Sequence, residues 1–80
     1  MKIKLQNDCL TFNLDKSIYS INILYKCLYL YNDNYSVDII SNNKNNWTIY
    51  LYPIKIKIID IDINKLENQI RNDLIDFKLR

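Results

Sequence analysis

The stretch KSIYSINILYKCLYLYND, from Lys16 to Asp33, has the apolar spacing of a helix but carries apolar residues on almost every side. One broad stripe would face a sheet; it consists of Ile18, Ile21, Leu24, Tyr25 and Leu28. A second apolar set lies well off that stripe and consists of Tyr19, Ile23 and Leu30, with Tyr29 nearby. We therefore expect a helix whose second apolar side is covered either by another segment of the chain or by a partner protein.

The ends of this helix are predicted from its polar residues. Ser17 can act as an N-cap, so the helix is expected to begin at Ile18. The three residues Asn32, Asp33 and Asn34 are expected to end it.

Alternating apolar and polar residues predict strands on both sides of the helix. Before it, two alternating runs of opposite parity meet at Asn7 and Asp8. A two-residue turn there would place Leu5 opposite Leu10 on one face. A bulge within one long strand is the alternative.

After the helix, the residues from Tyr35 to Ile39 alternate as a half-buried strand does. The polar run SNNKNN at 41–46 predicts a turn, and residues 47–51 form the returning strand. Pro53 ends the regular ladder or marks an edge.

The segment IKIKIIDIDI, residues 54–63, also alternates, with a shift of parity at Ile58 and Ile59. It could extend the preceding strand past a bulge or form a short extra edge strand, and the sequence leaves open whether residues 54–61 form a strand. Lys55 and Lys57 would then discourage edge-to-edge aggregation.

The C-terminal segment predicts a second helix, capped by Asp62 or Asn64. Its core stripe consists of Ile63, Leu66, Ile70, Leu74 and Phe77. Its solvated side consists of Glu67, Arg71, Asp73 and Lys78.

We therefore predict an α+β fold, with residues 1–80 as a single domain of order β(β)-α-β-β-α. A two-layer sandwich is the simplest packing, with a small antiparallel sheet and both helices on one face. The other face would carry Gln6, Cys9, Thr11, Ser36, Asp38, Thr48, Tyr50 and Tyr52.

The composition argues against several classes of function. The net charge is +2 with mixed signs along the chain, which gives little support to nucleic-acid binding. The chain has no histidine and no glycine, so the commonest general base and glycine-rich phosphate loops are both missing. Cys9 and Cys27 fit no zinc spacing, and no stretch has the length of a membrane span. We expect free thiols, no metal, no cofactor and a cytoplasmic location.

No group of residues predicts catalysis. Asp60 and Asp62 could share a cation, but capping of the last helix explains Asp62 more simply. Cys27 lies among apolar residues, which raise a thiol pKa and make the thiol unreactive. We therefore do not expect an enzyme.

The segments IYSINILYKCLYLYND, residues 18–33, and NDLIDFKLR, residues 72–80, resemble two motifs of the HxsD family of His-Xaa-Ser system proteins. The resemblance spans roughly residues 14–80. The helical segment matches at Ile18, Tyr19, Ser20, Lys26, Cys27, Leu28, Tyr29, Tyr31 and Asp33, with Cys27 and Leu28 in place of small residues and Tyr31 in place of Phe. The C-terminal segment matches at Asn72, Leu74, Asp76, Phe77, Leu79 and Arg80.

The resemblance implies a small accessory protein of a peptide-maturation system. Its implied partners are two radical-SAM-type maturase proteins and a precursor protein that carries His-Xaa-Ser repeats. The chain itself lacks the three cysteines of a radical-SAM cluster and has no such repeats, so it matches neither partner.

These inferences predict two contact surfaces. Tyr19, Ile23, Tyr29 and Leu30 are the candidates for a protein interface, and Tyr50, Tyr52, Lys55 and Lys57 are the candidates for peptide binding. A structural homodimer that uses the same helix is the alternative. A small single-stranded nucleic-acid binder that uses the tyrosine face is a further one.

Overall fold

Four strands and two α-helices form an α+β fold in the predicted order. The computed structural model describes residues 1–79. The elements are β1 (Lys4–Gln6), β2 (Cys9–Asp15), α1 (Ile21–Leu28), β3 (Tyr35–Ser41), β4 (Asn46–Pro53) and α2 (Ile63–Leu79). Two 3₁₀ turns, Tyr29–Tyr31 and Ile58–Asp60, follow α1 and precede α2.

The strands form one antiparallel sheet in the order β1-β2-β4-β3. The hairpin at Asn7 is confirmed, since Leu5 lies opposite Leu10. Asn7 has a φ of 54°, in the left-handed region that asparagine tolerates better than most residues. Because β2 and β3 both run antiparallel to β4, they are parallel to each other, and α1 connects them.

One face of the sheet packs against both helices, as predicted. Its rows include Leu10, Leu51 and Val37, and next to them Phe12, Ile49 and Ile39. The buried helix residues belong to the same hydrophobic cluster and are Leu24, Cys27, Leu28, Leu66, Ile70 and Leu74. Side chains alternate between the two faces along each strand, so those on the opposite face of the sheet project away from both helices.

The predicted start of α1 at Ile18 is wrong. The helix begins at Ile21, and Ser20 is its N-cap, accepting from the backbone N–H of Ile23 at 3.3 Å. The backbone N–H and the hydroxyl of Ser17 both donate to the Asp15 carboxylate, at 2.8 and 2.7 Å, which holds Ser17 in the turn after β2.

The predicted sheet-facing stripe of α1 is therefore only partly right. Leu24, Cys27 and Leu28 are the centre of the buried face. Ile18 lies before the helix and is exposed, and Tyr25 lies at the margin of the stripe with its side chain largely in solvent.

Residues 54–61 form no strand, neither as an extension of β4 nor as an extra edge strand. A bend follows Pro53, and the next regular structure is the 3₁₀ turn Ile58–Asp60. The reason is a lack of partners, because β2 starts opposite the end of β4 and β3 starts at Tyr35, opposite Pro53. Lys55 and Lys57 therefore protect no strand edge.

The second helix follows the prediction at its cap and core. The Asp62 carboxylate accepts from the backbone N–H of Lys65 at 3.1 Å, so Asp62 rather than Asn64 is the cap. Leu66, Ile70 and Leu74 are buried, and Ile63 and Phe77 pack partly against the core.

The predicted solvated side of α2 is largely wrong. The Glu67 carboxylate accepts from the backbone N–H of Ile3 at 2.8 Å. The Arg71 guanidinium donates to the backbone carbonyl of Met1 at 3.1 Å and to Glu67 at 3.1 Å. These two residues and Asp73 are half-buried because the N-terminal residues and the 3₁₀ turn after α1 lie against them.

Candidate interaction surface

The C-terminal end of α1 and the turn after it carry the large exposed side chains of this helix. Tyr25, Tyr29 and Leu30 are 61%, 73% and 57% exposed. Tyr25 and Tyr29 are four residues apart and therefore lie on one side. Burial of the neighbouring Leu28 leaves these two rings at the rim of the core.

A groove of about 380 Å³ separates this end of α1 from β3. Its helical wall consists of Tyr25, Leu28, Tyr29 and Asn32, and its other wall consists of Val37, Asp38 and Ile39. We call it the α1–β3 groove. It joins an aromatic surface to a strand at the edge of the sheet.

Leu30 faces a different depression. A second groove, between the 3₁₀ turn and α2, is lined by Leu30, Tyr31, Asn34, Tyr35, Leu66, Gln69 and Asp73. The predicted interface residues Tyr29 and Leu30 are therefore both exposed, but each lines a different groove.

The chain itself partly covers the other two predicted interface residues. Tyr19 and Ile23 are half-buried against the core. The Trp47 indole N–H donates to the backbone carbonyl of Tyr19 at 3.0 Å, and the Lys78 ammonium lies 5.7 Å from the centre of the Tyr19 ring. Within residues 1–79, the second apolar set is thus partly covered at Tyr19 and Ile23 and largely exposed at Tyr29 and Leu30.

The predicted peptide-binding tyrosines lie together on the sheet face without helices. The rings of Tyr50 and Tyr52 stack with 6.3 Å between their centres and 21° between their planes. Desolvation, followed by the electrostatic interaction with Cys9, raises the pKa of Tyr52. Lys55 and Lys57 lie on the exposed segment after Pro53, off the strand that carries the tyrosines.

The Tyr31 hydroxyl and the Cys27 thiol lie near Asp73 of α2, and both residues are part of the packed core. The Tyr31 hydroxyl donates to the Asp73 carboxylate, and burial together with this carboxylate raises the pKa of Tyr31. Burial raises the pKa of the Cys27 thiol to about 12, with a further contribution from Asp73. This confirms the predicted direction of the shift in the thiol pKa.

The acidic pair is also explained by helix capping. Asp62 caps α2, and Asp60 lies in the exposed 3₁₀ turn before it. Among residues 1–79, no three histidine, cysteine or acidic side chains converge as a metal site would require. Within the same residues, neither helix has both the length and the apolar character of a membrane-crossing segment.

Sequence reasoning selected Tyr29 but missed the other residues of the α1–β3 groove. It assigned Tyr25 to the core stripe, and Val37, Asp38 and Ile39 only to the two faces of a strand. The four-residue spacing of Tyr25 and Tyr29 was a usable signal. No signal in the sequence indicates the position of β3 at the edge of the sheet, because that position depends on the order of the strands.

Fold and surface together define a small α+β protein, with a four-stranded antiparallel sheet, helices on one face and an aromatic groove beside an edge strand. The chain belongs to the HxsD family, since the family model described as His-Xaa-Ser system protein HxsD matches residues 14–80. This confirms the resemblance seen in the two motifs. No curated protein and no solved structure matches the chain.

Proposed function

We propose that this protein is a non-catalytic accessory protein of a His-Xaa-Ser system. It acts in the cytoplasm and binds the radical-SAM maturase, the precursor with His-Xaa-Ser repeats, or both. Membership of the HxsD family supports the connection to the system. The partners are those that the family resemblance implies.

The observation that carries this proposal is the aromatic and apolar surface at the end of α1. Tyr25, Tyr29 and Leu30 expose most of their side chains in a chain of 80 residues. Clustered exposed apolar groups are unusual on small monomers and are typical of interaction sites. Tyrosine is enriched and charge is depleted at the centres of such interfaces.

Tyr29 and Leu30 carry most of the proposed maturase contact. Tyr19 and Ile23 are half-buried, so they contribute by holding the helix in place and by their remaining exposed surface. Tyr50 and Tyr52 remain the proposed peptide contact, because their stacked rings lie on the sheet face without helices. Lys55 and Lys57, on the segment after that strand, are the proposed basic part of the same contact.

Co-expression with the maturase and the precursor tests the proposal. The double variant Tyr29→Lys with Leu30→Asp places charges in the contact, whereas Ile59→Asp is the control. Ile59 is 86% exposed and lies outside both grooves. We expect the double variant to lose co-purification with its partner and the control to retain it, with unchanged circular dichroism for both.

Retention of the partner by the double variant would overturn the helix-interface part of the proposal. Sedimentation of the isolated chain tests the alternative class. A tight homodimer that does not bind the maturase would favour a structural self-associating protein.

A further inference from the structure

The two outer strands of the sheet differ in how their edges are protected. β1 has three residues, with Lys2 just before it and Lys4 within it. β3 has seven residues, pairs with β4 in an unbroken register from Tyr35 to Ser41, and contains neither lysine nor proline. Short strands, charged side chains (above all lysine), prolines and bulges are the usual protection against edge pairing. β3 has one charged side chain, Asp38, and none of the other protections.

The hydrogen bonds at one end of β3 show which backbone groups face outward. The Ile54 N–H donates to the Asn34 carbonyl at 2.8 Å, and Pro53 has no N–H to give to Tyr35. Tyr35 and Pro53 are therefore a non-hydrogen-bonded pair, and such pairs alternate with bonded ones along an antiparallel ladder. It follows that the N–H and C=O groups of Val37 and Ile39 point away from β4.

The opposite side of β4 gives the same alternation independently. The Lys16 N–H donates to the Asn45 carbonyl at 2.9 Å, which continues the register of β2 with β4. Odd-numbered residues of β4 therefore bond to β2, and its even-numbered residues bond to β3. The even-numbered residues of β3, including Asp38, are their partners.

The outward-pointing backbone groups lie in the α1–β3 groove. Val37 and Ile39 form its strand wall, and the rings of Tyr25 and Tyr29 lie across from them. An added strand in this position would bond to the backbone of Val37 and Ile39. Its inward side chains would contact the two tyrosine rings, which is the arrangement used in strand addition.

We propose that the free edge of β3 binds an extended peptide segment of a partner protein, with a basic side chain of that segment opposite Asp38. This inference rests on the proposed function, for which it names the place and the chemistry of one contact. Among residues 1–79, Asp38 has no salt-bridge partner. It lies opposite Tyr50 on the face without helices, so a cation there would also lie near an aromatic ring.

The same charge disfavours a second copy of the chain as the occupant. Antiparallel pairing of all seven residues of β3 with another β3 would set Val37 opposite Ile39 and Asp38 opposite Asp38. That central pair would be non-hydrogen-bonded, with Cα atoms about 4.5 Å apart. Like charges directly opposite each other destabilise a sheet, whereas a basic residue in the same position stabilises it.

Amide hydrogen exchange of the full chain tests the geometry. In the free protein, we expect slow exchange at Ser36, Asp38 and Ile40 and fast exchange at Val37 and Ile39. The probe is the capped synthetic peptide Thr-Val-Lys-Val-Thr. When it binds, the exchange of Val37 and Ile39 should slow by about tenfold or more, as expected for newly hydrogen-bonded amides.

Charge exchange tests the chemistry. A peptide with glutamate in place of the lysine should bind about fivefold more weakly, the ratio that corresponds to roughly 1 kcal/mol for a cross-strand charge pair. Asp38→Lys should reverse this preference. Asp8→Lys makes the same change of net charge in the exposed β1–β2 turn and should leave the preference unchanged.

Three results would overturn the inference. The first is that the amides of Val37 and Ile39 still exchange fast at the solubility limit of the peptide. The second is that Asp38→Lys prefers the same peptide as the unaltered chain does. The third is that the protection of Val37 and Ile39 grows with protein concentration when no peptide is present. The last would identify a second copy as the occupant.

The co-expression assay separates this inference from the proposed function. If Asp38→Lys and Asp8→Lys capture the maturase or precursor equally well, the accessory function stands and the edge contact is wrong. If no variant and not even the unaltered chain captures a partner, while the lysine peptide still protects Val37 and Ile39, the edge site stands and the proposed function is wrong.

Discussion

Cys27 illustrates how position, rather than residue type, determines chemistry in this protein. Its side chain is fully buried between the helices and the sheet. Burial, and secondarily the Asp73 carboxylate, raises the pKa of the thiol from an ordinary 9.0 to about 12. The thiolate, which would be the nucleophile, is therefore absent at neutral pH.

This shift predicts a loss of stability in base. Between pH 9.0 and about 12, the unfolded chain releases the Cys27 proton while the folded chain keeps it. The free energy of unfolding should therefore fall as the pH rises through this range. Urea unfolding at several pH values checks the slope, which should be shallower in Cys27→Ala. Equal slopes for the variant and the unaltered chain would contradict the assignment.

The start of α1 shows how neighbouring elements compete for a capping residue. Serine is a favourable N-cap residue at either position, but we predicted only Ser17 as the cap, whereas the structure uses Ser20. Asp15 at the end of β2 binds the backbone N–H and hydroxyl of Ser17, and this hydrogen bonding lowers the pKa of Asp15. The helix therefore begins three residues later, at the next serine.

The two serines should consequently differ in their contribution to stability. Ser20→Ala removes the acceptor for the Ile23 N–H and should cost about 1 kcal/mol, the usual loss for an N-cap serine. Ser17→Ala keeps the backbone bond to Asp15 and should cost clearly less. Chemical denaturation of both variants measures the difference. A larger cost for Ser17→Ala would place the helix start where the sequence alone predicted it.

At the scale of the whole molecule, α2 holds the beginning of the chain against its end. Glu67 and Arg71 bind the backbone of Ile3 and Met1, and Ile3 is buried. The hydrogen bond from Ile3, followed by the interactions with Arg71, lowers the pKa of the Glu67 carboxyl. From the sequence, Glu67 and Arg71 form an ordinary solvated pair four residues apart in a helix. In the structure they also hold the first residues of the chain against α2.

Acid should weaken this connection. A carboxyl with a lowered pKa in the folded state stabilises the fold above its ordinary value, and the contribution is lost as the pH falls through the folded value. Glu67→Gln should therefore reduce stability near neutral pH and flatten the fall in stability below pH 4.5. Unfolding curves from neutral to acid pH check this, with Asp33→Asn as an exposed control. If the stability of Glu67→Gln falls as steeply in acid as that of the unaltered chain, the carboxylate does not contribute to stability in this pH range.

The side chains that face the core follow from local periodicity and could be predicted without the structure. The period of two in residues 10–14, 35–39 and 47–51 assigned the faces of three strands correctly, and the spacing of Leu66, Ile70 and Leu74 assigned the buried side of α2. The change of parity at Asn7 and Asp8 predicted either a turn or a bulge, and the pairing of Leu5 with Leu10 in the structure decided for the turn.

Tertiary structure alone decided the features that carry the proposed contacts. Whether residues 54–61 form a strand depends on a free ladder partner, and the starts of β2 and β3 leave none beyond Pro53. The order of the strands places β3 at the edge. Trp47 and Lys78 partly cover Tyr19 before α1, whereas Tyr29 after α1 stays largely exposed. Periodicity shows which side of a segment is apolar. Whether another segment covers that side depends on the tertiary structure, because distant parts of the chain compete for the same surface and the same backbone hydrogen bonds.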